Sequence, residues 1–289
     1  MLIDALEVSI VVVTLPVIAG DLHLSPWTVQ FLMSGFALGF ATCLLLGPRL
    51  AQRWGRRPVY LAAMVLFVVA SVVGGVASTP ALLIGTRVVK AMCAALTAPT
   101  GLVIISSTFR PGPDQRRAVS TYAAFGAAGF SAGLLLSSVL AGTSWRLPLL
   151  VTAPVALLLL IAASVLLPRR AMPEQRKRAS ARTLLTNGAL VRSAVGAASL
   201  NGSHLALLLL LTFRLQVGAG WQPWQAALVF LPTCLPVAIC APFASRLVTR
   251  WSAPRLIAAG AVVLLVGAVS LLWRSGSLSS ARPQVHDYV

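Results

Sequence analysis

Acidic side chains are scarce in this sequence, and so is charge in general. It contains 6 aspartates and glutamates against 23 lysines and arginines, and only 10% of its residues are charged, while 58% are hydrophobic. The mean hydropathy is +0.88. A soluble domain of 289 residues has too little interior to bury that much apolar surface. The composition therefore excludes an ordinary soluble domain and predicts an integral membrane protein.

Motifs for metal, disulfide and nucleotide chemistry are missing as well. The four cysteines lie inside apolar runs without Cys-x-x-Cys spacing, which argues for a packing role and against a zinc site or a disulfide framework. The sequence has no Walker A pattern and no dinucleotide fingerprint. A Gly-x-Ser-x-Gly match at residues 129–133 lies within an apolar run, where a nucleophile elbow could not form. We therefore expect no enzyme activity, no metal and no cofactor.

Long apolar runs are abundant instead. A helix needs about 20 mostly apolar residues to cross a bilayer, and the sequence has nine such runs. They are continuously apolar rather than alternating, and backbone groups must be satisfied within lipid, so helices are favoured over strands. We predict an all-α integral membrane bundle of nine helices, near residues 2–19, 27–46, 59–77, 81–107, 118–140, 147–168, 190–213, 222–245 and 256–273.

The lysines and arginines outside these runs are concentrated in alternate loops. The connections after the second, fourth, sixth and eighth runs hold 17 of them, when Arg192 at the start of the seventh run is counted with the connection before it, and the opposite loops with the C-terminal tail hold 4. By the positive-inside rule, this asymmetry predicts a cytoplasmic N-terminus and a C-terminal tail outside. Because the charges lie in loops rather than along one helix face, they indicate a lipid bilayer as partner and not nucleic acid.

A short motif recurs 197 residues apart and suggests two related bundles. Residues 49–54 (Arg-Leu-Ala-Gln-Arg-Trp) match residues 246–251 (Arg-Leu-Val-Thr-Arg-Trp), each between two apolar runs. We expect residues 47–60, which include the first copy, to form a short loop at the membrane surface. The predicted organisation is a six-helix N-terminal bundle at 1–168, a cytoplasmic linker at 169–188, an incomplete three-helix second bundle at 189–274 and a polar tail at 275–289.

Several motifs, in chain order, carry a resemblance to a known family. Residues 6–16 are similar to L-D-x-T-x-V-N-V-A-L-P, with Glu7 for the acid, and residues 87–91 to R-x-x-q-G, with Lys90 for the glutamine. Residues 144–146 read Ser-Trp-Arg, and Gly126, Gly129 and Gly133 echo a fifth-span glycine motif. The family has a loop motif, G-x-L-a-D-R-x-G-R-K, whose acid is replaced here by Gln52. The positions that correspond to this motif are Pro48, Leu50, Ala51, Gln52, Arg53, Gly55, Arg56 and Arg57. The sequence thus resembles the major facilitator superfamily, and within it the drug:proton antiporters related to bacterial multidrug exporters.

Four charged residues lie inside the predicted spans, where charge is costly and is usually functional. Asp4 and Glu7 are three residues apart, as are Arg87 and Lys90, so each pair shares one helix face. Burial disfavours a charged carboxylate and a nearby arginine favours it, so opening the site to one side or the other would change the protonation of Glu7. We predict Glu7, Arg87 and Asp4 as proton-coupling residues. The alternative is a structural role, in which these charges only pair with one another and Asp4 is favoured by the helix dipole near the start of its helix.

Further candidates are polar groups in the spans and residues that the resemblance implies. Gln30, Lys90, Asn201 and His204 are predicted to line a substrate cavity, although an interior histidine is more often structural. The resemblance implies a gating loop and a bundle interface, for which the alternatives are a topogenic charge cluster and helix packing through small residues. The residues concerned are Gln52, Arg53, Gly55, Arg56 and Arg57 for the loop and Gly126, Gly129 and Gly133 for the interface.

The resemblance implies a secondary transporter in a bacterial inner membrane. It would export drugs or other amphipathic small molecules against inward proton flow, by alternating access between two bundles. The family has twelve or fourteen spans, so nine predicted spans suggest that the last ones are lacking. One alternative is accordingly a truncated, transport-inactive product, and another is a chain that works by pairing with a second chain.

Overall fold

The computed structural model describes residues 1–166 and 186–230, together with most positions between 255 and 270. Every secondary-structure element assigned in these ranges is a helix, as the all-α prediction requires. The predicted tail at 275–289, the second copy of the repeated motif at 246–251 and most of the predicted linker lie outside the described residues.

Seven of the described helices are long and apolar enough to cross a membrane. They coincide with the first seven predicted spans, which are thereby confirmed as helices. The predicted eighth and ninth spans are described only in part, as helical residues at 223–230 and between 255 and 270. The helices are α1 (Leu2–Asp21), α2 (Pro26–Trp54), α3 (Arg56–Val76), α4 (Pro80–Thr108), α5 (Pro113–Ala141), α6 (Arg146–Leu166) and α7 (Gly188–Phe213), the last continued by a π-helical turn (Arg214–Gly218).

Local sequence signals explain where several helices begin. The Ser25 side chain accepts a hydrogen bond from the backbone N–H of Thr28 at 3.2 Å, and Thr79 accepts one from that of Leu82 at 3.4 Å. A proline follows each of these caps as the first helical residue, where its missing N–H costs nothing and its fixed φ suits a helix. These ends leave only short turns between successive helices.

The stretch 47–60, expected to be a loop, is helical except at one residue. Helix α2 continues through the arginine motif to Trp54, and α3 starts at Arg56. Gly55 alone separates them, with φ 85° and ψ 152°, a conformation that is essentially open only to glycine. The loop prediction was wrong because long arginine side chains on the last turn of a helix can reach water while the backbone stays helical.

The most extensive contacts among the first six helices are those of α1 with α5, α2 with α4, α3 with α6 and α3 with α4. Glycines allow the close approach. A Cβ atom added at Gly39 of α2 would lie 2.7 Å from the carbonyl oxygen of Val88 in α4, and one at Gly133 of α5 would lie 2.9 Å from that of Leu6 in α1. Since lipid provides no hydrophobic drive for helix association, such close packing is the main source of attraction.

Helix α1 is the most deeply buried of the six, whereas others keep an apolar outer face. Ile10, Val11 and Val12 of α1 are fully enclosed. Val69 of α3 and Leu158 of α6 are exposed, as suits faces that contact lipid.

The described residues divide into two units. The first contains α1 to α6 and residues 211–230, and the second contains residues 186–210 and the described positions from 255 onward. The boundary cuts α7 after Leu210.

Candidate functional site

Glu7 lies one turn into α1 and is completely enclosed in the first unit. Both oxygens of its carboxylate have cationic partners from α4: Oε1 is 3.1 Å from Nη1 of Arg87, and Oε2 is 2.7 Å from Nζ of Lys90. The two basic residues are 5% and 2% exposed. The structure therefore brings together three of the four charged residues predicted within the spans, and we call Glu7, Arg87 and Lys90 the charged cluster.

Groups from three further helices complete the surroundings of the cations. Arg87 Nε donates a hydrogen bond to the Leu32 carbonyl of α2 at 3.1 Å. Lys90 Nζ donates to Thr152 Oγ1 of α6 at 3.1 Å and lies 5.1 Å from the centre of the Phe67 ring of α3. Such bonds offset part of the large cost of removing charges from water.

Thr152 was not among the site residues predicted from the sequence. Its hydroxyl donates to the Leu149 carbonyl at 2.7 Å and so presents its oxygen to Lys90. Only a weak signal for it is present in the sequence. Thr152 is one of the few hydroxyl-bearing residues in an otherwise apolar run, and it lies two residues before Pro154. Finding it required the three-dimensional pairing of α6 with α3 and α4.

A small cavity adjoins the charged cluster. It has a volume of about 10 Å³ and is lined by Arg87, Lys90 and Thr86 together with apolar side chains such as Val11 and Leu149. This volume is about the size needed for one water molecule. The cluster therefore has room beside it for a proton acceptor, but not for an organic substrate in this conformation.

Asp4 has a different partner from Glu7. Its Oδ2 is 2.9 Å from the N-terminal amine, within the first turn of α1. The geometry matches the alternative that Asp4 stabilises the helix N-terminus, and its role in proton coupling stays a prediction.

The remaining substrate-cavity candidates lie on α2 and α7. Gln30 is exposed on the second turn of α2. Asn201 is exposed in α7, where its Nδ2 donates to the Ala197 carbonyl at 2.9 Å, and His204 is half-buried in the same helix. Both belong to the second unit. Of the four candidates, Lys90 is the member of the charged cluster.

The predicted gating residues lie at the junction of α2 and α3. Gln52 and Arg53 are exposed, and Arg56 and Arg57 are half-buried. Arg57 Nη2 donates to the Ser164 carbonyl at 2.7 Å, so it ties the start of α3 to the last turn of α6. Gly55 supplies the break itself.

The predicted interface glycines differ in their surroundings. Gly129 and Gly133 lie against the backbone of α1, near Leu2 and Leu6, whereas a Cβ at Gly126 would come no closer than 3.9 Å to Met1. Gly129 and Gly133 therefore allow α5 to pack closely against α1 within the first unit, which is the role that the helix-packing alternative gives them. A role between bundles stays a prediction.

A contact at the other end of α1 involves the π-helical turn. Pro16 has no N–H and interrupts the hydrogen-bond pattern of α1. In the turn before it, the Val13 carbonyl accepts a hydrogen bond from Gln216 Nε2 at 3.1 Å. Trp145 Nε1 donates to Asp21 Oδ2 at 2.7 Å, which fastens the end of α1 to the start of α6.

Comparison with known families agrees with this helical architecture. The model of the Major Facilitator Superfamily matches residues 1–282. The chain belongs to the major facilitator superfamily. The resemblance carried by the sequence motifs is thereby confirmed, and its helices are membrane-embedded.

Relatives within the superfamily include named exporters. The chain is 36% identical to the cephamycin export protein of Amycolatopsis lactamdurans over 174 residues, which are 60% of this chain and 36% of that protein. It is 35% identical to the puromycin resistance protein of Streptomyces alboniger over 169 residues, 58% of this chain and 33% of that protein. The matched region thus spans about a third of the length of these relatives.

A solved structure of similar fold is that of the nucleoside transporter NupG. The TM-score is 0.61 at 14% sequence identity, and the match covers 88% of this chain and 69% of that one. At this identity the likeness concerns the fold alone.

Proposed function

We propose that this chain is a secondary active transporter of the major facilitator type that exports drugs or other amphipathic small molecules in exchange for protons. The observation that carries the proposal is the charged cluster. Titratable charges buried in a membrane helix mark ion or proton pathways by default, and this cluster joins α1 to α4 through two ion pairs. The names of the exporter relatives support efflux as the direction.

The cluster and its neutral partner Thr152 come from three pairs of packed helices. Glu7 comes from the α1/α5 pair, Arg87 and Lys90 from the α2/α4 pair, and Thr152 from the α3/α6 pair. A change in protonation at this point would change the attraction of α4 for α1 and for α6. It therefore supplies a way for proton entry to bias the packing of the bundle, as alternating access requires.

The proposal includes location and organisation. We place the chain in a bacterial inner membrane with the N-terminus in the cytoplasm, on the arginine distribution. The predicted boundaries at 168 and 188, the gating role of the residues from Gln52 to Arg57, and the cavity roles of Gln30, Asn201 and His204 belong to the same proposal.

Substrate accumulation in inside-out vesicles, which corresponds to export from the cell, tests the proposed function. With puromycin as the probe and an imposed pH gradient, we expect proton-dependent accumulation by the wild-type chain and its loss in Glu7→Gln, because the variant breaks both ion pairs. Asp114→Asn is the matched control, since Asp114 is an exposed acid at the start of α5. Equal accumulation in all three would remove the cluster from the mechanism.

The alternative is a chain without transport activity of its own. The observation that favours it is that the matched region spans only about a third of the length of these relatives. A wild-type chain that is folded in the membrane yet shows no proton-dependent accumulation of any exporter substrate would support it, and restoration by a co-expressed second chain would identify a partner.

A further inference from the structure

The charged cluster holds an unequal number of charges. Two cations face one carboxylate, and all three residues are nearly or completely buried. A net charge in a low-dielectric interior is costly, and a site of this kind favours the protonation state with the fewest unpaired charges. The way the cluster gains and loses a proton can therefore be deduced by comparing the possible states.

Protonation of Glu7 makes the imbalance worse. The neutral carboxyl group would leave Arg87 and Lys90 as two neighbouring buried cations without an anion between them. Removal of a proton from Lys90 has the opposite effect, because Glu7 and Arg87 remain as a neutral ion pair at 3.1 Å. Arg87 does not compete, since a guanidinium keeps its proton in proteins.

A neutral Lys90 also keeps its polar contacts. The amine retains two N–H groups, one for the hydrogen bond to Thr152 Oγ1 at 3.1 Å and one to face Glu7 Oε2 at 2.7 Å. The electron pair of the broken N–H bond stays on Nζ, and the proton passes to water. The cavity of about 10 Å³ beside Lys90 has room for that water.

We propose that Lys90, rather than Glu7, carries the coupling proton, and that Glu7 stays ionised as its fixed counter-charge. This rests on the proposed proton coupling. The groups facing Lys90 are Glu7 from α1, Arg87 from its own helix, Thr152 from α6 and the Phe67 ring from α3. Lys90 is one of only two lysines among 23 basic residues.

The sequence makes a direct test practicable, because it contains two lysines and two glutamates. The purified wild-type chain is labelled with ¹³C at lysine Cε and glutamate Cδ, and NMR spectra are recorded across the neutral pH range. Lys90→Arg and Glu7→Gln assign the signals. We expect the Lys90 signal to move from its ammonium to its amine position while the Glu7 signal stays at that of a carboxylate. A moving Glu7 signal, or a Lys90 signal that stays still, overturns the proposal.

A transport measurement adds a functional readout. Lys90→Arg keeps a positive charge at the site but replaces the amine with a guanidinium that does not release its proton, so we expect at least a tenfold loss of proton-driven puromycin accumulation, with downhill puromycin flux retained. Lys177→Arg, the same change at the other lysine, is the control. Full proton-driven accumulation in Lys90→Arg overturns the proposal. Absence of transport in the wild type counts against the proposed function instead, and the NMR titration then still decides the role of Lys90.

Discussion

At the scale of single residues, Glu7 is the side chain whose burial is energetically costly. A carboxylate enclosed among Leu6, Ile10 and other apolar side chains of α1 is tolerated only because Arg87 and Lys90 approach both of its oxygens. The two cations in turn depend on neutral partners, the Leu32 carbonyl and the Thr152 hydroxyl. The stability of the site is therefore shared among residues from four helices.

Thr152→Val tests how much one neutral partner contributes. Valine has nearly the same shape but leaves Lys90 without its acceptor on α6, so we expect the free energy of unfolding to fall by about 1–2 kcal/mol. The measurement is denaturation of the purified chain in detergent. Thr14→Val is the control, because Thr14 is equally buried and its hydroxyl bonds the Ile10 carbonyl of its own helix. Equal losses in the two variants would contradict the importance of the bond to Lys90.

At the scale of helices, the pairing of α1 with α5 depends on glycine. Gly133 lies against the backbone of Leu6 and the side chain of Ser9, and the Leu6 backbone cannot withdraw without moving α1. Because Glu7 lies on the same helix, the spacing between α1 and α5 also fixes the position of the carboxylate.

Gly133→Ala should therefore destabilise the bundle. The added methyl group would overlap Ser9 and approach the Leu6 carbonyl oxygen to 2.9 Å, and overpacking of this kind costs about 1–3 kcal/mol. Gly126→Ala, on the same helix, places its methyl group 3.9 Å from the nearest atom outside its own helix and should leave the thermal unfolding midpoint unchanged or slightly raised. The expectation fails if the two variants unfold at the same temperature.

At the scale of the whole molecule, short turns between long apolar helices make successive helices cross the membrane in opposite directions. The junction at Gly55 and the turn containing Arg110 then lie on one side, and the turns containing Ser78 and Thr143 lie on the other. The arginine distribution predicts that the first side faces the cytoplasm.

Labelling of single cysteines in intact cells checks this assignment. In a chain whose four native cysteines are replaced by alanine, we expect Ser78→Cys and Thr143→Cys to react with a membrane-impermeant maleimide, because these residues are exposed and the predicted orientation places them outside the cell. Arg53→Cys and Arg110→Cys, also exposed, should react only after the membrane is opened. The reverse pattern would invert the orientation, and a mixed pattern would contradict the helix assignment.

The sequence predicted the features that depend on composition along the chain. Seven spans and the presence of charge at Glu7, Arg87 and Lys90 followed from hydropathy alone. The bonds between them did not, because the partners are 80 residues apart and their distance depends on how α1 packs against α4. The break at Gly55 was misjudged as a loop because polar side chains are common to loops and to exposed helix ends. Gln30 is polar within a span, yet its exposure could not be read from that polarity.

The pairing of helices that are far apart in the chain has a consequence for synthesis. Glu7 leaves the ribosome 80 residues ahead of Arg87, and α1 precedes its packing partner α5 by three intervening helices. A lone carboxylate in lipid is costly, so the nascent first helix gains its full anchorage only when the fourth and fifth have arrived. During synthesis, Glu7 therefore lacks both of its ion-pair partners until α4 has been made.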